Sequence, residues 1–293
     1  MQKITPFLWF DSQVEEAAKL HTSIIERSKI GTVRRYGEGG PGPKGSVMTL
    51  TFELAGTSFM ALNGGPQFAF TPSLSLFASF KTEKEIDALW SGLSGGGKVL
   101  MPLQKYPFSE KFGWVNDRYG LSWQLNLGGP RTAVNPFFMF VGAKHGKTEE
   151  AMKYWASLFP GSHVEQVARF AAGEQGAEGT VKHARFTLAG QTFMAMDSNG
   201  PHAFDFTPAL SLFIDCGTQD EVDELWEKLS AGGAPGQCGW LEDRYGVSWQ
   251  VVPTVLGEML GDKNAARAQG VMRAMLGMKK LDIKGLEAAY SAS

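Results

Sequence analysis

"GWVNDRYGLSWQL" at residues 113–125 returns almost unchanged as "GWLEDRYGVSWQV" at residues 239–251. Working outward from the two copies, the rest of the chain repeats in the same order. "TPFLWF" (5–10) matches "NPFFMF" (135–140), and "EEAAKLHTSI" matches "EEAMKYWASL". "GSVMTLTFELAGTSFMAL" (45–62) matches "GTVKHARFTLAGQTFMAM" (179–196), and "FTPSLSLF" (70–77) matches "FTPALSLF" (206–213). A repeat this long is a duplicated domain rather than a solenoid turn. The copies run over 1–129 and 130–253, and residues 254–293 form a tail of helical character. The first copy carries extra residues, "KVLMPLQKYPFSEKF", where the second has only "APGQC".

Composition narrows the classes of function. With 43% hydrophobic and 20% charged residues the chain has enough apolar surface for a core. A net charge of −2 and the lack of long Lys/Arg runs disfavour nucleic acid and anionic membrane as partners. Cys216 and Cys238 lack the close spacing of a zinc or redox motif and read as reduced thiols. The opening residues do not read as a signal peptide and no run of apolar residues reads as a span, so a cytoplasmic location is expected.

Within each copy the elements alternate. "ITPFLWF" reads as a strand and "SQVEEAAKLHTSIIERS" as an amphipathic helix. A strand and a hairpin follow, "VMTLTFELAGTSFMALN", with Ala55-Gly56 as its turn. The scheme then restarts with strand "SLSLFASF" and a helix N-capped by Thr82. Each copy is βαβββ twice, so the chain holds four such units.

That order, carried by "PFLWF…EEA", "GSVMTLTFELAG", "MALNGGPQFAFTP" and the doubled "GW…DRYG…SWQ", resembles the vicinal-oxygen-chelate superfamily of glyoxalase, bleomycin-resistance and extradiol-dioxygenase folds. The PhnB-like branch, often labelled "3-demethylubiquinone-9 3-methyltransferase domain", is the best match. The resemblance implies an α+β protein of two tandem domains, in each of which the two βαβββ units of one copy curl a mixed sheet around a cavity, with helices outside. Methyl transfer draws no support from the residues. A nucleotide-type cofactor wants a glycine-rich turn from strand into helix. The glycine clusters at 37–46 and 94–98 instead bridge two strands and follow a helix.

The superfamily's enzymes hold a divalent metal with His, Glu or Gln from four strands. Carried over strand by strand, those positions fall on Thr5, Met60 or Ala61, Ser75 and Gln124 in the first copy. In the second they fall on Asn135, Met194 or Ala195, Ser211 and Gln250. Transition metals want imidazole or thiolate and hard cations want several carboxylates, so no metal and no other cofactor is expected. A divalent metal is the alternative.

The doubled sentence reads as strand, turn, strand. Asp117, Gly120, Asp243 and Gly246 suit the turns, Trp123 and Trp249 the core, and Gln124 and Gln250 the cavity. Alternation places Thr49 and Thr51 in the first cavity and His183 and Arg185 in the second. Phe7, Trp9, Phe59, Phe77 and Asn63 are expected to line the first, and Asn135, Phe137, Asp197, Ser211 and Phe213 the second. Asp197 is expected to pair with Arg185. His183 beside Arg185 is the one candidate for acid–base work; a histidine bonded within the sheet is the plainer reading. The extra segment of the first copy reads as a lid, a dimer arm or a packed loop.

The residues favour a protein that binds a small amphipathic organic molecule in a metal-poor cavity. A metal-dependent lyase, isomerase or dioxygenase is the first alternative, and a structural or assembly protein the second, so whether the chain is an enzyme stays open. The expected partners are a small molecule and, inside the chain, a pseudo-dimer of the two domains, with room for a homodimer.

Overall fold

The computed structural model describes residues 2–37 and 42–292, so residues 38–41 of the glycine cluster at 37–46 lie outside the described residues. The chain forms two compact units, one of residues 6–210 and one that joins the first five residues to residues 211–293. Four βαβββ modules follow one another. The first is β1 (Ile4–Phe10), α1 (Val14–Ile24), β2 (Lys29–Arg35), β3 (Val47–Leu54) and β4 (Thr57–Asn63). The second is β5 (Leu74–Phe80), α2 (Glu83–Ser94), β6 (Lys98–Tyr106), β7 (Ser109–Asn116) and β8 (Ser122–Leu127). The third is β9 (Ala133–Phe140), α3 (Thr148–Leu158), β10 (His163–Arg169), β11 (Val181–Leu188) and β12 (Gln191–Asp197). The fourth is β13 (Leu210–Cys216), α4 (Gln219–Ser230), β14 (Ala234–Pro235), β15 (Trp240–Glu242) and β16 (Ser248–Pro253), and α5 (Thr254–Leu260), α6 (Ala265–Leu276) and α7 (Ile283–Ser291) complete the chain.

Local chemistry accounts for the module. Thr82 accepts from the Glu85 N–H while Glu85 reaches back, a capping box that starts α2, and Thr218 accepts from the Glu221 N–H to cap α4. Ala55 and Gly56 both have positive φ, as do Ala189 and Gly190, so each hairpin closes on a two-residue turn. Within each module the first and fourth strands pair in parallel and the remaining pairs are antiparallel.

The eight-stranded sheet of residues 6–210 runs β10-β11-β12-β9-β5-β8-β7-β6, with β9 and β5 antiparallel through Ser75↔Phe137 and Phe77↔Asn135. The sheet thus joins the second module of the first sequence copy to the first module of the second. One face is packed by helices. Trp155 of α3 stands 5.1 Å from Phe138, with Phe186 and Phe193 beyond, and Trp123 and Leu125 are fully buried on the same side. Removing Trp155 from such packing costs about 3–5 kcal/mol. The other face bears no helix, and it is curved. β5 and β11 are three strand spacings apart, roughly 14 Å on a flat sheet, yet the rings of Phe77 and His183 approach to 6.5 Å.

The doubled sentence is structural. Asp117 Oδ1 accepts from the N–H groups of Tyr119 (2.9 Å) and Leu121 (3.1 Å), and Oδ2 accepts from Trp123 Nε1 at 3.0 Å. Asp243 repeats all three bonds with Tyr245, Val247 and Trp249. Gly120 and Gly246 take the positive φ that closes each turn. In the first copy a further donor joins: His21 Nε2 of α1 lies 2.7 Å from Asp117 Oδ2, with both side chains fully buried. The extra segment of the first copy lengthens the β6–β7 hairpin. Its tip stacks Tyr106, Phe108 and Phe112, with Phe108 62% exposed. No helix among the described residues is long and apolar enough to cross a membrane.

Candidate functional site

The helix-free face of the eight-stranded sheet gathers the expected residues of both copies. Phe137, Met139 and Val141 form a buried apolar cluster, against which Phe77, Trp114, Met194, Met196 and Phe204 pack while partly exposed. Phe77 and Phe137 stack at 5.7 Å. At the floor, Gln124 Nε2 donates to Ser75 Oγ at 3.0 Å. Nearby, Trp114 Nε1 donates to Ser122 Oγ at 2.9 Å. The twin of the floor pair, Gln250 Nε2 to Ser211 Oγ, measures 2.9 Å in the other unit.

Two polar side chains on this face have no hydrogen-bond partner among the described residues. Asn135 sits opposite Phe77 in the β5–β9 ladder. His183 lies within 6.5 Å of the rings of both Phe77 and Phe137. Desolvation, aided by the Arg185 charge, holds the His183 imidazole below its ordinary value of 6.5, so the ring is neutral near pH 7. Arg185 does not pair with Asp197. Its Nε lies 3.0 Å from Glu165 at the rim.

Several expected residues stand elsewhere. Phe59 is fully buried on the helix side, stacked at 5.3 Å on Phe52, because the two-residue turn sets these residues opposite one another. Asn63 and Asp197 lie outside any cavity and begin helices. Asn63 Oδ1 accepts from the Val14 N–H at 2.9 Å and its Nδ2 donates to the Val47 carbonyl. Asp197 Oδ1 accepts from the Gly146 N–H at 2.7 Å and from the Thr148 hydroxyl, and Oδ2 accepts from the Val181 N–H. In the first module, Phe7 is buried, Trp9 donates to the Gly65 carbonyl and Thr51 Oγ1 accepts from the Thr32 N–H. Thr49 is half-buried beside it. Ser211, Phe213 and Gln250 belong to the other unit, where Phe213 packs against the C-terminal helices. The sequence reading missed Trp114, Met139 and Met196. Trp114 carried a signal, since it opens the repeated sentence two residues from a cavity-facing row.

The four positions that hold metal in the superfamily become, on this sheet, Ser75, Gln124, Asn135 and Met194. A hydroxyl, two amides and a thioether make a poor set for a divalent ion, with no imidazole, thiolate or carboxylate among them. Among the described residues no three His, Cys, Asp or Glu side chains group as ligands. The residues present do not fit the metal.

Comparison with known proteins places the chain. The family model described as 3-demethylubiquinone-9 3-methyltransferase matches twice, over residues 2–126 and 132–252. The chain belongs to that family. Among solved structures, the putative 3-demethylubiquinone-9 3-methyltransferase PhnB protein of Bacillus cereus is 48% identical over 43% of this chain and 100% of its own, with a TM-score of 0.42. Glyoxalase I of Zea mays is 10% identical over 89% of this chain and 98% of its own, with a TM-score of 0.55, a likeness of fold. No curated protein matches. Two tandem copies of that family's domain make up most of the chain.

Proposed function

We propose that this PhnB-like chain binds a small amphipathic organic molecule, without metal, on the curved helix-free face of the eight-stranded sheet. The observation that carries the reading is the pair of unpartnered polar side chains, His183 and Asn135, on a face otherwise made of Phe, Trp and Met. A polar group half-withdrawn from water without a partner is unfavourable unless a guest completes it. Concave apolar surface with a few convergent polar groups is the usual form of a small-molecule site. Methionines let the wall adapt to the guest's shape.

Methyl transfer from a nucleotide-type cofactor is disfavoured by how the helices begin. The α1 N-terminus is closed by Asn63, α3 by Asp197, α2 by Thr82 and α4 by Thr218. At each of these starts a first-turn amide is already engaged. Lyase, isomerase or dioxygenase chemistry through a metal is disfavoured by the donor set described above.

The test is fluorescence titration with the neutral apolar dye N-phenyl-1-naphthylamine, beside elemental analysis and titration with Mn, Ni, Zn and Fe(II). Saturable dye binding weakened about tenfold in Phe77→Ala supports the site; each tenfold is about 1.4 kcal/mol of binding. Binding that is absent, or indifferent to Phe77→Ala and Met194→Asp, ends the reading. Stoichiometric metal would overturn its metal-free half.

A further inference from the structure

The fourth module has the same floor as the candidate site, and there it is covered by the chain itself. Gln250 donates to Ser211 as Gln124 donates to Ser75, and Phe213 pairs with Gln250 as Phe77 pairs with Gln124. Over this floor lie the C-terminal helices. Leu256, Leu281 and Leu286 bury against Val252, and Phe213 and Met278 pack around them.

The helices are held by a strap at their edge. The Cys238 N–H donates to the Met278 carbonyl at 2.7 Å, and the Gly239 N–H to the Lys279 carbonyl at 2.8 Å. Gln219 on α4 grips the same stretch twice: Nε2 donates to the Leu281 carbonyl at 3.2 Å and Oε1 accepts from the Ile283 N–H at 2.8 Å. Lys280 pairs with Asp223 at 2.6 Å.

We propose that the C-terminal helices are a built-in occupant of a second, latent ligand site, the face of β13, β15 and β16 that carries Phe213, Gln250 and Val252. The tail stands where a guest would stand. Its Leu and Met side chains show the class of guest the floor takes, an apolar molecule with few hydrogen-bonding atoms. The inference rests on the reading that such a floor binds ligand, and its test separates the two.

The measurement is the number of N-phenyl-1-naphthylamine molecules bound per chain, with the rate at which Cys238 reacts with a thiol reagent. The full chain is compared with Leu281→Asp, which sets a carboxylate into a fully buried apolar place, and with Gln219→Ala, which removes both side-chain grips and leaves the core intact. The expected result is one dye in the full chain and two in Leu281→Asp, with Cys238 labelled at least tenfold faster. Gln219→Ala should show a smaller rise in both. If Leu281→Asp loses its cooperative melt, Gln219→Ala decides. Two dyes on the full chain, faster labelling with an unchanged dye count, or unchanged labelling in both variants would each overturn the proposal. No dye on the full chain but one on the released chain would uphold it and sink the reading of the eight-stranded face.

Discussion

The second and fourth modules share a sentence, a turn and a Gln–Ser floor, and they differ in what comes next. After Leu127 the chain leaves directly into β9, which extends the sheet and supplies Asn135 and Phe137 to an open apolar face. After Pro253 it enters α5, and helices settle on the corresponding face. The motif therefore decides the fold of the module and leaves its use to the following residues. Function here belongs to the cover as much as to the floor.

The largest effect expected from breaking this arrangement comes from cutting the chain between residues 129 and 130. That cut separates β5 from β9 and leaves two bare sheet edges. Co-expressed halves should copurify, and either half alone should be insoluble; two soluble, cooperatively melting halves would refute the pairing. Next in size, Asp117→Ala should cost about 3–5 kcal/mol in urea unfolding, because it strips partners from His21, Trp123 and two backbone amides at once. His21→Leu alone should cost about 2 kcal/mol. A negligible loss would mean the histidine is a bystander of the turn.

Phe213→Ala should cost about 2–3 kcal/mol by loosening the tail and leave dye affinity of the full chain unchanged, whereas Phe77→Ala should do the reverse. Gln124→Ala and Gln250→Ala each remove one buried hydrogen bond of nearly equal length and should each cost about 1 kcal/mol. A larger loss at Gln250 would measure how far the tail depends on its floor. The smallest effect concerns pH. The folded His183 imidazole is held below 6.5, so on acidification the unfolded chain takes up its proton first. Stability from this residue is full above pH 6.5 and falls as pH drops below it until the folded ring titrates. His183→Gln should flatten the change in Tm between pH 7.5 and 5.5, and an unaltered slope would assign it to other groups, His202 among them.

Much of this was legible in the sequence. The repeat gave the four modules, Asp and Gly gave the turns, and alternation put Trp123 in the core. Phe59 was misplaced for a physical reason that the sequence contained: a two-residue turn at Ala55-Gly56 forces Phe59 opposite Phe52, and Phe52 was already in the core. Asn63 and Asp197 share the Phe59 row, so the same register would have turned them toward the helices they start. His21 also left a trace, since it continues the buried stripe of Val14, Ala17 and Ala18 and aligns with the core residue Trp155. Module pairing was expected within each copy, whereas the eight-stranded sheet joins the second module to the third. The first strands of all four modules are alike, and edge-to-edge choice depends on contacts that no local pattern encodes. The same holds for the tail, whose helices were readable and whose resting place was not.

The antiparallel joint between β5 and β9 also bears on how the protein is made. Every strand of the eight-stranded sheet comes from one contiguous stretch, residues 74–197, although a helix and three strands separate β5 from β9 in the chain. On a ribosome such a sheet is complete in sequence while residues 211–293 are still to be translated. A unit complete in sequence can assemble before the rest of the chain is made. The helix-free face would then be finished before the tail exists.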